Sequence, residues 1–588
     1  MMDTLSRFFG ERLTAIRGFR MRQYILRAVT ALATLLALYY LASEVPFTAK
    51  EFYSDARLLA ILLLSALLFV LLLLVSSDRA VGLALFGVLL VWFYVASAKS
   101  GDYFLAFGLT AVLAAVVYFA DVRPLHIPLR EGWLWAAVAV LLLFMTLYIG
   151  VLTALSYRNH WAPTYDFGIF AQMFHYMKET GQCLTTCERD GLLSHFAVHF
   201  SPIYYLLLPI YALIPTPETL LVMQGLIVAS GLVPLVLLCR RHGLSRGVTL
   251  ALAAVYALYP AMIESNFFYL HENCFLAPCI LWLFWFMERG ELIPILLASF
   301  LTLIIKEDAA VYVAVIGLYY LAARKKPRNG LIVLLLAVVY FLTVTKLMGK
   351  YGLGIMSDSR YGDYIYDGGG LFTVIKAVLQ NPLYAVRQIF REEKLLFLLQ
   401  MLLPLAFLPL AIRRPERLLL LIPLLLVNMM TSYVYQYNIG FQYVYGSAAI
   451  LLYLAVANLS EMKEGMRVRA VLISLLAAVL IFGAGPAQRY GGVENYIAAK
   501  DERIAMDEAL AMIPEDADVA ATTFLVTNLS ARRVVYELET TKHASEVDYI
   551  VIDRRYDTDA YFRIYEADPD LTCIFYEPGL VAIYQRVK

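Results

Sequence analysis

Residues 57–76 read RLLAILLLSALLFVLLLLVS, a run of 20 residues in which Arg57 is the only charged side chain. A helix needs about 20 apolar residues to cross the hydrocarbon core of a bilayer. Comparable runs recur along the 588-residue chain, which is 61% hydrophobic and only 16% charged. Soluble chains carry about 25% charged residues, so lipid must solvate part of this one. The sequence therefore predicts a polytopic α-helical membrane protein.

The apolar runs predict about 15 membrane spans. The segment 199–215 is not counted among them, because it is short and contains prolines, and we interpret it as a juxtamembrane or re-entrant helix. The predicted spans lie near 24–43, 57–76, 80–98, 103–120, 133–155, 218–239, 247–268, 273–288, 291–306, 309–323, 330–347, 394–411, 418–435, 444–458 and 468–485.

Basic residues predict the orientation of these spans, because Lys and Arg concentrate in short cytoplasmic loops. Such residues recur on alternate loops along the chain if the N-terminus is cytoplasmic. The loops concerned carry Arg79, Arg130, Arg240 with Arg241 and Arg246, Arg289, Arg324 with Lys325 and Lys326, Arg413 with Arg414 and Arg417, and Lys463 with Arg467 and Arg469. We expect a multi-pass protein of the cytoplasmic membrane with its polar loops on the outer side.

Changes in composition divide the chain into three predicted parts. Residues 1–131 form a four-span extension, and residues 132–485 form a core with long outer loops at 156–217 and 348–393. Residues 486–588 are more charged and predict a small extracytoplasmic α/β domain. In it, a helical pattern covers 501–513, and the runs VAATTFLV (519–526), RRVVYEL (532–538), DYIVIDRR (548–555) and GLVAIYQRV (579–587) predict strands.

The first long loop carries three polar candidates for a site. Asp166 stands in YDFGIFAQ (165–172), which also contains Gln172; a plain helix N-cap is the alternative explanation for Asp166. His195 and His199 are four residues apart, so a helix would present both on one face, as a metal or an anion requires. Two histidines lying against lipid headgroups are the alternative. His195, His199 and Asp166 are the candidate ligands if a divalent metal is bound.

Ionisable residues also gather at two turns between apolar spans. His271 and Glu272 occupy the first turn, and Lys306, Glu307 and Asp308 occupy the second. Charges at the end of a span are costly unless they are solvated or paired, and intramembrane ionisable residues usually mark functional sites. Solvation of an ordinary turn is the alternative.

The second long loop and the segment YQYNIGFQY (435–443) complete the candidate set. The loop contributes Arg360 and Tyr361, and the aromatic segment contributes Gln442. Aromatic rings with amide groups suit either stacking on a sugar or an interfacial position, and the sequence does not separate the two.

Charge and cysteine content exclude some classes of function. A formal net charge of +1 argues against nucleic acid as a partner. No pair of CxxC motifs supports a structural zinc site. Cys183 and Cys187 lie in an outer loop, where either a disulfide or two free thiols is open.

Several uncommon strings resemble the bacterial membrane family known as domain of unknown function 2079. They are YDFGIFAQ (165–172), SHFAVHFSPIYYLLLPIYALIPTPETLL (194–221), NFFYLH (266–271), IIKEDAA (304–310) and YNIGFQY (437–443), and the resemblance covers about 133–588. One departure concerns the turn near His271. The family is expected to have acidic residues before and after this histidine, where the chain has Tyr269 and Asn273.

That family is similar in turn to the GT-C glycosyltransferases, which take a sugar from a polyprenyl-phosphate donor. The resemblance implies a GT-C-like core and inverting transfer to an acceptor that the sequence does not name. It makes Asp166 the catalytic base. The candidate substrate-binding residues for such a transfer are Gln172, His195, His199, His271, Glu272, Lys306, Glu307, Asp308, Arg360, Tyr361 and Gln442, and the resemblance leaves dependence on a divalent metal open.

Two other functions remain open from the sequence. A transporter or flippase for a lipid-linked or polar substrate would place ionisable residues near the middle of the membrane, whereas here they lie at span ends. A non-catalytic assembly or sensor component would use its exported tail to bind a partner.

Overall fold

The structure, a computed structural model, describes residue 12 and residues 14–42, 55–119, 129–366 and 369–587. These residues form two compact units, Met1–Asp121 with Leu476–Gln488 and Val122–Leu475 with Arg489–Lys588. The predicted parts 1–131, 132–485 and 486–588 include residues outside the described ranges, and they stay predictions.

The first unit is built from apolar helices. An ion pair joins two of them, because Nη1 of the buried Arg27 lies 2.8 Å from Oδ1 of Asp78. Arg27 has no exposed side-chain surface and also donates to the carbonyl oxygens of Leu72 and Val75. These bonds satisfy a charge that would otherwise be costly in an apolar bundle. The helices are Met21–Ala42, Asp55–Leu73, Asp78–Ser100 and Tyr103–Phe119.

Apolar helices also form most of the second unit. Their bounds are Glu131–Arg158, Ile169–Thr180, Leu208–Leu213, Pro217–Ser230, Leu232–Arg241, Arg246–Leu258, Pro260–Ile263, Leu276–Arg289, Leu292–Leu303, Ala309–Ala322, Pro327–Tyr351, Leu371–Gln380, Pro382–Ile389, Glu392–Leu402 and Tyr445–Ser460. The second long loop also contains the short polar helix Ser357–Arg360. Helix Glu464–Ala484 begins in this unit, and Gly491–Ala498, Lys500–Leu510, Thr523–Val526 and Asp559–Glu566 follow it.

Within the described residues, seven helices are long and apolar enough to cross a membrane, and the protein is a multi-pass membrane protein. They are Met21–Ala42, Asp78–Ser100, Glu131–Arg158, Pro217–Arg241, Pro327–Tyr351, Gln442–Ser460 and Glu464–Ala498. The pair Arg246–Leu258 and Pro260–Phe268 adds an eighth if its 56° bend belongs to one broken span. The count of about 15 spans therefore stays a prediction.

Proline explains why some predicted spans are not regular helices. Helix Glu392–Leu402 gives way to short 3₁₀ turns at Leu403–Leu405, Leu408–Leu410 and Pro415–Leu421. Pro404, Pro409 and Pro415 each lack the backbone N–H that a continuous helix would use. The segment 199–215 likewise contains only the short helices Pro202–Leu206 and Leu208–Leu213, which are too short to cross a bilayer.

The C-terminal part of the second unit, called the C-terminal domain below, contains a five-stranded sheet. Strands β3 (Val519–Ala521), β4 (Val535–Glu537), β5 (Tyr549–Asp553), β6 (Leu571–Glu577) and β7 (Val581–Arg586) lie in the order β4-β3-β5-β7-β6. Strand β3 runs parallel to β4 and β5, whereas the β5–β7 and β7–β6 pairs are antiparallel. A two-stranded ribbon, β1 (Leu184–Thr185) with β2 (Leu193–Ser194), lies in the first long loop.

Two predictions for this domain were wrong in detail. The predicted strand 519–526 ends at Ala521, because Thr522 turns the chain into the helix Thr523–Val526. Strand β6 was not predicted, and it is an edge strand whose side chains are mostly half-buried or exposed. Its alternating pattern is therefore weaker than that of a core strand.

Candidate active site

One cavity of about 220 Å³ in the second unit brings distant polar residues together. It is lined by the first long loop, by both ionisable turns, by the second long loop and by the aromatic segment before helix Tyr445–Ser460. Eight of the predicted site residues line it: Asp166, His195, His199, His271, Glu272, Lys306, Arg360 and Gln442.

Asp166 and His271 form the central contact of this cavity. Asp166 lies in the turn Thr164–Gly168, and its Oδ2 is 2.6 Å from Nε2 of His271. The Asp166 side chain is 31% exposed, whereas that of His271 is 4% exposed. Burial disfavours the Asp166 anion, but the hydrogen bond and charge of His271 outweigh burial and hold the pKa of Asp166 below its usual value. Asp166 is therefore an ionised carboxylate at the cavity surface, where it can accept a proton.

Aromatic packing fixes the His271 ring. The ring of Phe268 stacks on His271 at 5.4 Å, and Phe170 meets it edge-on at 5.1 Å. Two residues before His271, Tyr269 has a left-handed φ of 64° and stacks on Phe167 at 5.3 Å. Such backbone strain in a non-glycine residue persists only where the surroundings hold it.

Glu272 and Lys306 form a buried ion pair in the cavity wall. Oε1 of Glu272 lies 2.8 Å from Nζ of Lys306, and the Tyr204 hydroxyl donates to Oε2 of Glu272 at 2.6 Å. Burial opposes both charges, yet each partner stabilises the other, so the pKa of Glu272 is lowered and that of Lys306 is raised. Lys306 is therefore neutralised within the protein.

Each of the two predicted histidines of the first loop is paired with a carboxylate. Nδ1 of His195 lies 3.0 Å from Oε2 of Glu188, and Nδ1 of His199 lies 2.9 Å from Oε1 of Glu307. Burial opposes the charged form of His195, but Glu188 outweighs it and raises the pKa of His195. Nε2 of His195 is buried without a hydrogen-bond partner in the described part of the chain.

Arg360 contributes a cation from the second long loop. Its guanidinium lies 3.8 Å above the Tyr433 ring, and its Nη2 donates to the Tyr443 hydroxyl at 3.0 Å. The remaining Nη1 is buried and unpartnered within the described ranges, as is Oε1 of Gln442. Two nitrogen atoms and one oxygen atom of the lining therefore have unused hydrogen-bonding capacity, which buried polar groups seldom keep.

Four predicted substrate contacts do not line the cavity. Gln172 is fully buried, and its amide bonds Thr185, Thr186 and the carbonyl oxygens of Arg532 and Arg533. Glu307 bonds His199 and the Phe200 amide, and the Tyr361 hydroxyl bonds the Leu426 carbonyl. Asp308 precedes helix Ala309–Ala322, and burial raises its pKa to about 6. The structure places these four side chains outside the lining of this cavity, and their role in binding substrate stays a prediction.

Several residues that line the cavity were not predicted from the sequence. Glu188 and Arg189 follow Cys187 in the first loop, Tyr433 lies just before the aromatic segment 435–443, and Tyr443 is the last residue of that segment. Glu188 carried a usable signal, because a carboxylate seven residues before a histidine can return to it across a hairpin. Strands β1 and β2 form that hairpin.

The residues that the structure describes do not form a metal site from protein side chains alone. In the described ranges no group of three His, Cys, Asp or Glu side chains is placed to hold a metal ion. Of the candidate ligands, His195 and His199 each use Nδ1 for a carboxylate, and Asp166 bonds His271. Cys183 and Cys187 are both buried free thiols, so the alternative of a disulfide between them is not realised.

Comparison with known proteins places the chain in a family. The sequence matches the family described as a predicted membrane protein, DUF2079, over residues 159–568. The search of curated proteins found no significant match.

Two solved structures are similar to the chain at low sequence identity. ArnT from Cupriavidus metallidurans bound to undecaprenyl phosphate is 14% identical with a TM-score of 0.49, and the match covers 78% of this chain and 99% of ArnT. Arabinofuranosyltransferase AftD from Mycobacteria is 13% identical with a TM-score of 0.45, and the match covers 78% of this chain but only 40% of AftD. Because the DUF2079 match spans more than half of the chain, the protein belongs to the DUF2079 family of membrane proteins.

Proposed function

We propose that the protein is an inverting membrane glycosyltransferase. It would move a sugar from a polyprenyl-phosphate donor to an acceptor hydroxyl at the outer face of the cytoplasmic membrane. The observation that carries the proposal is the ionised Asp166, held by His271 at the surface of a cavity that also presents unpartnered nitrogen atoms of Arg360 and His195. Asp166 can therefore accept the proton of an acceptor hydroxyl, and Arg360 and His195 can bind the phosphate that leaves.

The chemistry assigns a separate task to each group. The acceptor hydroxyl gives its proton to the Asp166 carboxylate as its oxygen attacks the anomeric carbon. The bond from that carbon to the donor phosphate breaks, and its electron pair leaves with the phosphate oxygen. Arg360 and His195 stabilise the departing phosphate, because charge-assisted hydrogen bonds to phosphate are strong. Lys306 contributes less, since Glu272 already neutralises it.

An apolar cavity next to the polar one supports a lipid-linked donor. Its volume is about 340 Å³, and its lining includes Phe196, Phe200, Leu347, Met348 and Tyr351. The last three belong to the membrane-spanning helix Pro327–Tyr351. The polar and apolar cavities share a wall, the strip 194–200, whose His195, Val198 and His199 face the polar side.

The test is transfer by the purified protein from synthetic polyprenyl-phosphate sugars. We expect Asp166→Asn to remove transfer without changing the melting temperature in detergent, because the amide cannot take the proton. Asp557→Asn, at an exposed position of the C-terminal domain, is the matched control and should keep wild-type activity. Full transfer by Asp166→Asn would remove Asp166 as the base, and no transfer by the wild type from any such donor would overturn the proposal.

A further inference from the structure

The C-terminal domain presents an unusual edge to the rest of the second unit. Strands β4, β3 and β5 are parallel, so the residues that follow them gather at one edge of the sheet. In open α/β sheets this carboxyl edge is the usual place for a bound ligand. Here it holds residues of the protein's own first long loop, the segment 159–168 that carries Asp166.

Two threonines after β3 bind the backbone just before Asp166. Thr523 accepts from the Thr164 amide at 3.3 Å, and its carbonyl accepts from the Thr164 hydroxyl at 3.1 Å. The buried Thr527 hydroxyl donates to the carbonyl oxygen of Ala162 at 2.9 Å. The chain entering the Asp166 turn is thus fixed at successive residues.

The residue that ends the turn is packed against the same helix. A Cβ atom on Gly168 would lie 3.2 Å from Oγ1 of Thr527 and 3.4 Å from Cγ1 of Val526. Thr527 therefore contacts both sides of the Asp166 turn. The domain core continues into the loop as well, since it includes Ile169 and Cys187.

A buried arginine after β5 provides a second attachment. Arg555 donates to the carbonyl oxygens of Asn159 and His160 at 2.9 and 2.6 Å. Asp553, which has no exposed side-chain surface, holds this guanidinium at 2.6 Å. Residues at the carboxyl edge of the sheet therefore bind or contact the first long loop between residues 159 and 168.

We infer that the C-terminal domain sets the position of Asp166 against His271, with Thr523 and Thr527 as positioning residues for the transfer. This inference rests on the proposed function. Neither threonine is among the residues that line the cavity, so neither has to touch substrate. They act on the reaction through the backbone of the Asp166 turn.

The experiment compares paired variants of the full-length protein. Thr523→Val with Thr527→Val removes both hydroxyls, whereas Thr523→Ser with Thr527→Ser keeps them. Thr572→Val, at an exposed position on β6, is the matched control. We measure kcat, the KM for a synthetic polyprenyl-phosphate sugar, the melting temperature, and hydrogen exchange of peptides that cover 160–172.

We expect the valine pair to lower kcat at least about tenfold with KM for the donor unchanged, since small misplacements of catalytic groups cost up to about 100-fold. The serine pair should restore kcat to within about threefold of the wild type, and exchange at 160–172 should rise in the valine pair alone. Gly168→Ala, which presses on Thr527 from the loop side, should also lower kcat while keeping the melting temperature.

Two results would overturn the inference. The first is that the double valine variant has the same kcat and the same hydrogen exchange at 160–172 as Thr572→Val. The second is that the double serine variant loses as much kcat as the double valine variant. If the wild type shows no transfer, the proposed function fails, and hydrogen exchange alone decides whether the threonines hold the loop. Normal wild-type transfer with unchanged exchange in the valine pair overturns the inference and leaves the proposed function standing.

Discussion

Nε2 of His271 lies 2.6 Å from Oδ2 of Asp166, although the two residues are 105 positions apart in the chain. One comes from a long loop and the other from a turn between two apolar helices. Their contact forms only when both segments reach the same end of the helix bundle. The candidate site is therefore a product of tertiary structure, with no local motif that contains it.

The first prediction concerns the pH dependence of this pair. Because His271 holds the pKa of Asp166 below its usual value, removing it should raise that pKa. Asp166 must be ionised to accept a proton, so activity is lost as pH falls through its pKa. We expect His271→Gln to move the acidic limb of the pH–rate profile to higher pH. An acidic limb unchanged from the wild type would contradict this assignment.

Arg360 should control affinity for the donor. Arg360→Gln removes the charge and the unpartnered Nη1, so we expect KM for the donor to rise about tenfold, which corresponds to about 1.4 kcal/mol. The control is Arg387→Gln, in an exposed position of the same long loop. Equal KM values for the two variants would show that Arg360 does not hold the phosphate.

Breaking the Glu272–Lys306 pair should destabilise the protein. Lys306→Met leaves a buried carboxylate without its cation, which costs about 3–5 kcal/mol in stability. Adding Glu272→Gln removes that uncompensated charge, so the double variant should be more stable than Lys306→Met alone. Unfolding in detergent measures both. Strictly additive losses would indicate that the two charges are not coupled.

Gly352 should tolerate no side chain, although its φ of −137° is open to any residue. A Cβ atom there would lie 2.5 Å from the carbonyl oxygen of Ala197, in the strip shared by the two cavities. We expect Gly352→Ala to cost about 1–3 kcal/mol in stability and to lower transfer. A Cβ atom on Gly349, in the last turns of helix Pro327–Tyr351, would meet no atom within 4 Å. Gly349→Ala should therefore leave transfer unchanged and should not lower stability, because alanine favours a helix more than glycine does. Equal behaviour of the two variants would contradict the packing.

Thiol labelling should show that the exposed Cys573 reacts faster than the buried Cys183 and Cys187. Burial raises the pKa of Cys183 to about 11 and that of Cys187 to about 12, and both are free thiols. Because the thiolate is the reactive form, neither should react with a maleimide at neutral pH in the folded protein. The exposed Cys573 should react first. A mass change of two units on reduction would instead reveal a disulfide.

Much of the site could be predicted because polar residues at span ends stand out against apolar runs. His271 and Lys306 were predicted in this way, Asp166 was predicted from its loop and the family resemblance, and all three line one cavity. Glu188 and Tyr433 were missed because their roles depend on partners brought close by folding, namely His195 and Arg360.

The fold was predictable where one rule of physical chemistry dominates. Long apolar runs such as Glu131–Arg158 form helices as expected. Between Leu403 and Leu421 the same hydropathy is interrupted by prolines, and local backbone geometry decides the outcome. Edge strand β6 could not be predicted from its own sequence pattern, because its pairing with β7 stabilises it as a strand.

The strip 194–200 gives the two cavities one physical boundary. Its histidines face the side where charge would be handled, and its phenylalanines face the side where hydrocarbon would lie. In the proposed transfer, a lipid tail that fits the apolar cavity poorly would displace residues 194–200, which also contact the phosphate end of the donor. Preference for chain length and preference for the sugar should therefore change together when this strip is altered.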